Sequence, residues 1–139
     1  MIFYFEIPGN PKGKGRPRFT RSGHAYTPES TASYENLVKV CFAQKYHGTQ
    51  PIPHGVPVEA HITAFFPIPK SVSKSRAADM ERGLELPTKK PDTDNLAKIV
   101  LDALNGMAYH DDAQIVRLTV QKSYSHEPRV EVEICDPNR

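Results

Sequence analysis

The apolar residues of the chain recur at two spacings, and each spacing predicts a different kind of element. From Val58 to Phe66, apolar and polar residues alternate, which is the period of a half-buried strand. The apolar run over residues 1–7 ends in a turn rich in proline and glycine, which predicts a buried strand that closes there. Two further strands are predicted at about 115–124 and 129–134.

Spacings of three and four residues predict helices between these strands. Thr27 followed by Pro28 is typical of a helix start, and the apolar residues beyond them predict a helix at about 28–46. Ser73 and Gly83 are suitable residues for the start and the stop of a short polar helix. The chain is therefore expected to combine helices with strands.

The clearest periodic segment covers residues 96–107, where large apolar residues recur on one side of a helix. It predicts an amphipathic helix that begins near Asp92 or Thr93 and ends near Asn105. The elements then follow in the order β, α, β, α, α, β, β. This order predicts an α+β fold in which a mixed or antiparallel sheet packs against helices.

Length and composition predict a single globular domain over residues 1–139. The chain has the size of an ordinary domain of ~100–200 residues, and its 38% of hydrophobic residues argues against disorder. No apolar run approaches the ~20 residues of a membrane span, and the N-terminus has no signal-peptide pattern. Cys41 and Cys135 lie far apart without a metal-binding or disulfide pattern. We therefore expect a soluble, cytoplasmic protein without a membrane partner.

The net charge of +2 conceals a division of charge along the chain. Residues 1–91 carry +6 and residues 92–139 carry −4. The densest basic stretch has five cations and no acid in ten residues, namely Lys12, Lys14, Arg16, Arg18 and Arg21. Its glycines allow close approach, and guanidinium groups match phosphate oxygens, so we favour contact with a nucleic-acid backbone over a merely solvated loop.

Carboxylates are concentrated in one short part of the acidic third. Five of them lie within residues 92–112, namely Asp92, Asp94, Asp102, Asp111 and Asp112. On the predicted helix, Asp94, Lys98 and Asp102 follow at four-residue steps and share one polar stripe. One interpretation is a helix cap with two salt bridges. The other is a site for Mg²⁺, which is typically held by one or two carboxylates together with a substrate phosphate.

Three rival motifs fail on residue identity. An EF-hand beginning at Asp92 would require a glycine and a glutamate where Ala97 and Ala103 stand. The basic loop has no Ser or Thr after Lys14, as a phosphate-binding loop requires, and its glycine spacing breaks the dinucleotide-binding fingerprint. No nucleotide cofactor is therefore expected.

Four runs of residues carry a family resemblance. They are residues 7–11 with the basic loop that follows, 90–98 (KPDTDNLAK), 102–106 (DALNG) and 109–116 (YHDDAQIV). Together they closely resemble the signature of RusA-type Holliday-junction resolvases, which occur in bacteria and prophages. The likeness covers essentially the whole chain. It implies a RusA-like α+β domain with a mixed sheet, working as a homodimer.

The resemblance also implies roles for individual residues. Carried over position by position, it makes Asp92, Asp94 and Asp112 the catalytic metal ligands and Lys98 the catalytic lysine. The residues that match as supporting ones are Asp102 and Asp111. The implied activity is that of an endonuclease dependent on Mg²⁺, with Mn²⁺ as a substitute, which resolves four-way DNA junctions by paired symmetric nicks.

Two alternatives stay open at this stage. The same site could serve a nuclease for flaps or other branched DNA. The chain could also be a non-catalytic protein that binds DNA structures, with aspartates that only cap and pair. The segment 70–89 matches the family least, so no role in DNA binding is assigned to it.

Overall fold

A computed structural model of the chain describes residues 3–26 and 28–138. Along these residues the elements are β1 (Phe3–Pro8), β2 (Arg18–Phe19), β3 (Ala25–Tyr26), α1 (Glu29–Tyr46), β4 (Val58–Pro67), α2 (Lys74–Glu81), α3 (Thr93–Ala103), a 3₁₀ turn (Asp112–Gln114), β5 (Ile115–Ser125) and β6 (Arg129–Cys135). This succession of helices and strands confirms the predicted α+β class.

Four of the strands form one mixed sheet in the order β1-β6-β4-β5. The two inner strands, β6 and β4, are antiparallel, as are β1 and β6, whereas β4 and β5 run parallel. The register pairs Phe5 with Val132 and Val132 with Ile62, so apolar residues line one face of the sheet across three strands. β2 and β3 form a separate two-stranded hairpin.

The apolar face of the sheet is covered by helices, and together they make one hydrophobic core. Strand alternation buries every second residue of β1 and β4, and α1 adds Val38 and Phe42. The rings of Phe3 and Phe42 meet edge to face at a centroid distance of 5.2 Å. From α3, Ile99 and Val100 are buried almost completely. Helix α3 is thus fixed by its apolar side, and its polar side faces outward.

Most of the predicted elements are confirmed, with boundaries shifted by a few residues. Helix α1 has Pro28 as its N-cap residue, while the predicted cap Thr27 lies outside the described residues. The short helix is confirmed as α2, where the Ser73 hydroxyl accepts a hydrogen bond from the Arg76 N–H at 3.2 Å. The hairpin of β2 and β3 was not predicted from the basic loop. None of the helices that the structure describes is long and apolar enough to span a bilayer.

Candidate active site

Helix α3 begins with two carboxylates that have different surroundings. Asp92 is the N-cap residue, and its Oδ1 accepts a hydrogen bond from the Asn95 N–H at 2.9 Å. The capping interpretation therefore holds for one oxygen of Asp92. Asp94 lies in the first turn, where it is exposed and takes no part in the cap. One of the two carboxylates is thus not needed to start the helix.

One turn further along α3, Lys98 is also exposed. Among the described residues, neither Asp94 nor Lys98 has a hydrogen-bond or ion-pair partner for its side chain. The salt bridges that four-residue spacing suggested for Asp94, Lys98 and Asp102 are therefore not formed. Opposite charges are left facing solvent on one side of a well-packed helix.

Two carboxyl groups from different elements meet at the other end of α3. Asp102, on the last turn of the helix, lies within hydrogen-bonding reach of Asp112 in the 3₁₀ turn. Partial burial raises the pKa of Asp112 above that of an ordinary aspartate, and the carboxyl of Asp102 and the charge of Asp111 raise it further. The structure thus brings the loop before β5 to the end of α3, where Asp112 meets Asp102. The sequence instead predicts that this loop joins the carboxylates at the start of the helix.

The 3₁₀ turn that carries Asp112 is held by several hydrogen bonds. Asp111 caps it by accepting a bond from the Ala113 N–H at 3.0 Å, and the Asp112 N–H donates to Oδ1 of Asn105 at 2.8 Å. The buried amide of Gln114 donates to two backbone carbonyls of the loop before β4, those of Pro53 and Val56. These bonds hold the backbone of the turn, and with it Asp112, in place beside the end of α3.

Tyr109 is a residue near the acidic cluster that the sequence did not single out. It is fully buried, and its hydroxyl donates to the Leu101 carbonyl at 2.6 Å. Burial raises the pKa of Tyr109, and the charges of Asp112 and Asp102 raise it further. This side chain ties the loop after α3 to the last turn of the helix. In the sequence, the only signal for this burial was the apolar run Met107–Ala108 directly before Tyr109.

The first half of the basic loop packs against α1 and α3. The Lys14 ammonium lies 2.8 Å from Oε2 of Glu35 and 3.4 Å from Oδ2 of Asp102, and the Lys14 N–H donates to the Asn95 carbonyl at 3.0 Å. A Cβ atom on Gly13 would come within 2.8 Å of Cβ of Pro91. In this structure the close approach that Gly13 permits is therefore to protein atoms, and the loop lies beside the start of α3.

The other four cations of the loop face solvent. Lys12 and Arg16 are exposed, and Arg18 and Arg21 are exposed on the hairpin of β2 and β3. On the part of the chain that the structure describes, none of them is within 4.0 Å of a carboxylate. The hairpin also exposes two aromatic rings, those of Phe19 and Tyr26. The hairpin thus combines exposed cations with exposed rings, and the loop that leads into it packs beside the start of α3.

The carboxylates are spread along α3 rather than gathered at one point. Asp94 and Asp102 are eight residues apart, which is about 12 Å along a helix axis. Within residues 3–26 and 28–138, Asp92, Asp94 and Asp112 do not have ligand atoms that all lie within 4.8 Å of one another. The predicted ligands are therefore not gathered in one cluster: Asp92 and Asp94 lie at the start of α3, and Asp112 lies beside Asp102 near its end.

Comparison with known proteins gives consistent matches over this whole region. The family model described as Endodeoxyribonuclease RusA matches residues 8–135. The chain is 43% identical over 135 residues to YqaN of Bacillus subtilis strain 168, an uncharacterized protein, with 94% of this chain and 93% of that protein covered. It is 27% identical over 149 residues to the crossover junction endodeoxyribonuclease RusA of Lactococcus phage r1t, with 98% and 99% covered. The matched residues include the basic loop and all five aspartates.

Proposed function

Because the chain belongs to the RusA family of endodeoxyribonucleases, we propose that it is a metal-dependent nuclease that resolves four-way DNA junctions. In this proposal a homodimer places paired symmetric nicks in two strands of a junction. Each cut leaves a 5′-phosphate and a 3′-hydroxyl. The likeness to a phage crossover junction endodeoxyribonuclease supports the choice of substrate.

One observation carries the proposal on the structural side. Asp94 and Lys98 are exposed on α3 without protein partners among the described residues, and the same side of the helix ends at the Asp102 and Asp112 carboxyls. Lys98 has no contact that would hold the fold, and Asp94 contributes only through its favourable position at the helix N-terminus. Their position beside the cationic loop supports a role toward a phosphate chain and a cation.

The donor set suits a hard divalent cation such as Mg²⁺, with Mn²⁺ as a substitute. All the candidate ligands are carboxylate oxygens, and the raised pKa of Asp112 reflects burial and neighbouring negative charge that a cation would compensate. We assign Asp92, Asp94 and Asp112 to metal binding, with Asp102 and Asp111 as supporting residues. A bound divalent ion would supply Lewis-acid polarisation of the phosphodiester and activation of a water molecule.

Stabilisation of the transition state and binding of the DNA backbone are assigned to lysine and arginine side chains of the chain itself. Lys98 offers an ammonium to the negative charge that builds up on the phosphoryl oxygens in the transition state. Lys12, Arg16, Arg18 and Arg21 face solvent and are suited to hold the sugar-phosphate backbone without reading its sequence. Metal ligands at α3 and the 3₁₀ turn, and DNA-binding cations on the loop beside α3, would then act on the same strand.

Cleavage of labelled DNA in the presence of Mg²⁺ tests the proposal. A mobile four-way junction should be cut in symmetric pairs, while flap and linear duplex substrates should be cut far more slowly. Asp94→Asn should abolish cleavage and leave junction binding equal or tighter, because it removes a ligand and a negative charge. The matched control is Asp79→Asn on α2, which makes the same chemical change away from α3 and should cleave normally.

The alternatives give different results in the same assay. Equal cleavage of flaps and junctions would indicate a nuclease for branched DNA in general. Junction binding without cleavage in either Mg²⁺ or Mn²⁺ would indicate a non-catalytic binder. Full activity of Asp94→Asn would remove this residue from the site.

A further inference from the structure

Three potential metal ligands of different chemistry meet on the sheet, away from the aspartates of α3. They are the carboxylate of Glu59, the imidazole of His61 and the thiol of Cys135. Glu59 and His61 are two residues apart on β4, and Cys135 is the register partner of Glu59 on β6. The three side chains therefore lie on one face of two paired strands, where the backbone fixes their spacing.

The distances within this group fit a tetrahedral ion. Nε2 of His61 lies 3.2 Å from Oε2 of Glu59, and Sγ of Cys135 lies 3.5 Å from the same oxygen. With bonds of about 2.0–2.2 Å to nitrogen and oxygen and about 2.3 Å to sulfur, tetrahedral angles give edges of about 3.4 and 3.6 Å. All three ligand atoms also lie within 4.8 Å of one another. We propose that Glu59, His61 and Cys135 form a binding site for a borderline-soft divalent transition ion such as Zn²⁺.

The mixture of ligand types selects this class of ion. A thiolate and an imidazole favour Zn²⁺ or Co²⁺ over Mg²⁺, which prefers oxygen ligands alone. When the sulfur binds the ion, the proton of the Cys135 thiol passes to solvent, and the neutral imidazole of His61 binds through its lone pair. Three protein ligands leave one tetrahedral position for a water molecule.

The neighbouring arginine does not block the site. Nη1 of Arg117 lies 3.5 Å from Oε1 of Glu59, which is the oxygen that does not contact His61 or Cys135. Two-thirds of the Arg117 side chain is exposed, so solvent screens its charge, whereas Cys135 is fully buried. Oε2 of Glu59, which contacts both His61 and Cys135, is thus not the oxygen that Arg117 contacts.

This site is separate from the candidate active site. Ala60 on β4 and Ile134 on β6 are core residues on the face that α1 and α3 cover, so their neighbours Glu59, His61 and Cys135 lie on the opposite face. An ion there would join the end of β6 to the start of β4. We infer a stabilising role for the ion, which holds for this site whether or not the chain cleaves junctions.

Titration of the full-length protein with Co²⁺ tests the site, because a thiolate ligand gives a charge-transfer absorption that carboxylates cannot give. Wild type should bind one Co²⁺ per chain with this absorption, and added Zn²⁺ should displace it. Cys135→Ser should abolish the absorption, and His61→Gln should weaken binding by at least about tenfold, since even outer partners of a ligand are worth about 10- to 100-fold. Zn²⁺ should also raise the unfolding temperature of wild type by more than that of His61→Gln at the same Zn²⁺ concentration.

Three matched variants separate this site from other sources of binding. Cys41→Ser removes the half-buried thiol of α1, and His126→Gln removes an imidazole that lies 3.3 Å from Glu81 without belonging to the three-ligand group. Asp94→Asn removes a carboxylate of α3. All three should keep the thiolate absorption. Its absence from wild type, its persistence in Cys135→Ser or its loss in Cys41→Ser would overturn the proposal. If Cys135→Ser fails to fold, the more exposed His61 decides the question through His61→Gln.

Discussion

The ammonium of Lys14 lies 3.4 Å from Oδ2 of Asp102, and it also contacts Glu35 at 2.8 Å. A cation of the basic loop is thus bound to the carboxylate that neighbours Asp112. Partial burial lowers the pKa of Lys14, but the hydrogen bonds and charges of Glu35 and Asp102 outweigh it and raise that pKa above the ordinary value for lysine. Lys14 therefore remains charged at neutral pH and links the loop to the acidic end of α3.

The cations of the loop therefore fall into two groups: Lys14 is paired with carboxylates of the protein, whereas others face solvent and are available to DNA. Arg16 and Arg18 are exposed, so replacing both with glutamine should weaken binding to every DNA structure. If each contacts one phosphate, the slope of log affinity against log salt concentration should fall by about 2, since each contact contributes about 0.9. Binding isotherms for junction and linear duplex DNA at several salt concentrations measure this slope.

Lys14→Gln is the matched control for that measurement. Because its ammonium is paired with Glu35 and Asp102, the loss of Lys14 should leave the salt slope nearly unchanged and should lower stability instead. Equal losses of slope for Lys14→Gln and for the double arginine variant would show that Lys14 leaves its carboxylates to bind DNA. An unchanged salt slope for the double variant would show that Arg16 and Arg18 are only solvated and do not contact DNA phosphates.

The raised pKa of Asp112 predicts a pH-dependent cost in stability. The folded chain holds the proton of this carboxyl more tightly than the unfolded chain, whose value is near 3.8. Its contribution to stability is therefore fully present below pH 3.8 and is lost as the pH rises through the folded pKa. Asp112→Asn should consequently be more stable than wild type at pH 7, and this gain should disappear on acidification.

Urea unfolding of both proteins at a series of pH values measures this difference. Asp79→Asn serves as the control, because the variant loses the ion pair of Asp79 with Arg82 and gains nothing at pH 7. Added Mg²⁺ should reduce the difference in unfolding free energy between the two proteins. It should stabilise wild type more than Asp112→Asn, as expected for a ligand that binds only the folded state. A less stable Asp112→Asn at pH 7 would contradict this account of the carboxyl pair.

Lys98 is the cation whose loss should affect catalysis rather than the fold. It is exposed and, among the described residues, has no partner, so Lys98→Gln should leave the unfolding free energy nearly unchanged. The turnover rate on junctions should fall by about 10²–10³-fold, the usual effect of removing one group that stabilises transition-state charge. Single-turnover cleavage at saturating protein separates this loss from weaker binding. A loss confined to affinity would make Lys98 a DNA-binding residue only.

The asparagine variants of the aspartates rank the carboxylates of the site. Asp92→Asn should abolish cleavage and keep the fold, because an asparagine side chain also accepts the N-cap hydrogen bond. Asp112→Asn should abolish cleavage as well, and Asp102→Asn should be milder. Cleavage rates with Mg²⁺ and Mn²⁺ measure the ranking. If Asp102→Asn is as damaging as the other two, Asp102 is a ligand rather than a supporting residue.

The parts of this protein that the sequence predicts are those that depend on local patterns. The period of three and four residues marks α3 because its buried side must pack on the sheet, and the same period makes Asp94 and Lys98 exposed. The alternation of apolar and polar residues predicts β4 because every second side chain of the strand packs in the core. A strand of two residues such as Arg18–Phe19 is too short to give either pattern, so the hairpin went unpredicted.

The features that could not be predicted from the sequence depend on contacts between segments that are distant along the chain. Lys14 meets Asp102 only because the loop packs across the start of α3. Glu59 and His61 share a strand face by alternation, but their meeting with Cys135 depends on β6 lying beside β4 in the sheet. The order of strands follows from the whole fold, which a local reading does not determine.

The last prediction concerns the number of active sites that act on one junction. A productive resolution needs two cuts of like polarity in one binding event, and one chain offers one set of carboxylates along α3. A dimer with two-fold symmetry would supply a second, identical set for the symmetry-related strand. Mixing wild-type chains with an excess of Asp94→Asn chains on a supercoiled cruciform plasmid should therefore produce singly nicked circles in place of linear DNA. The matched mixture with Asp79→Asn chains should still give linear product. If linear DNA declines only in proportion to the wild-type chains and no nicked circles accumulate, the two sites are not coupled in a dimer.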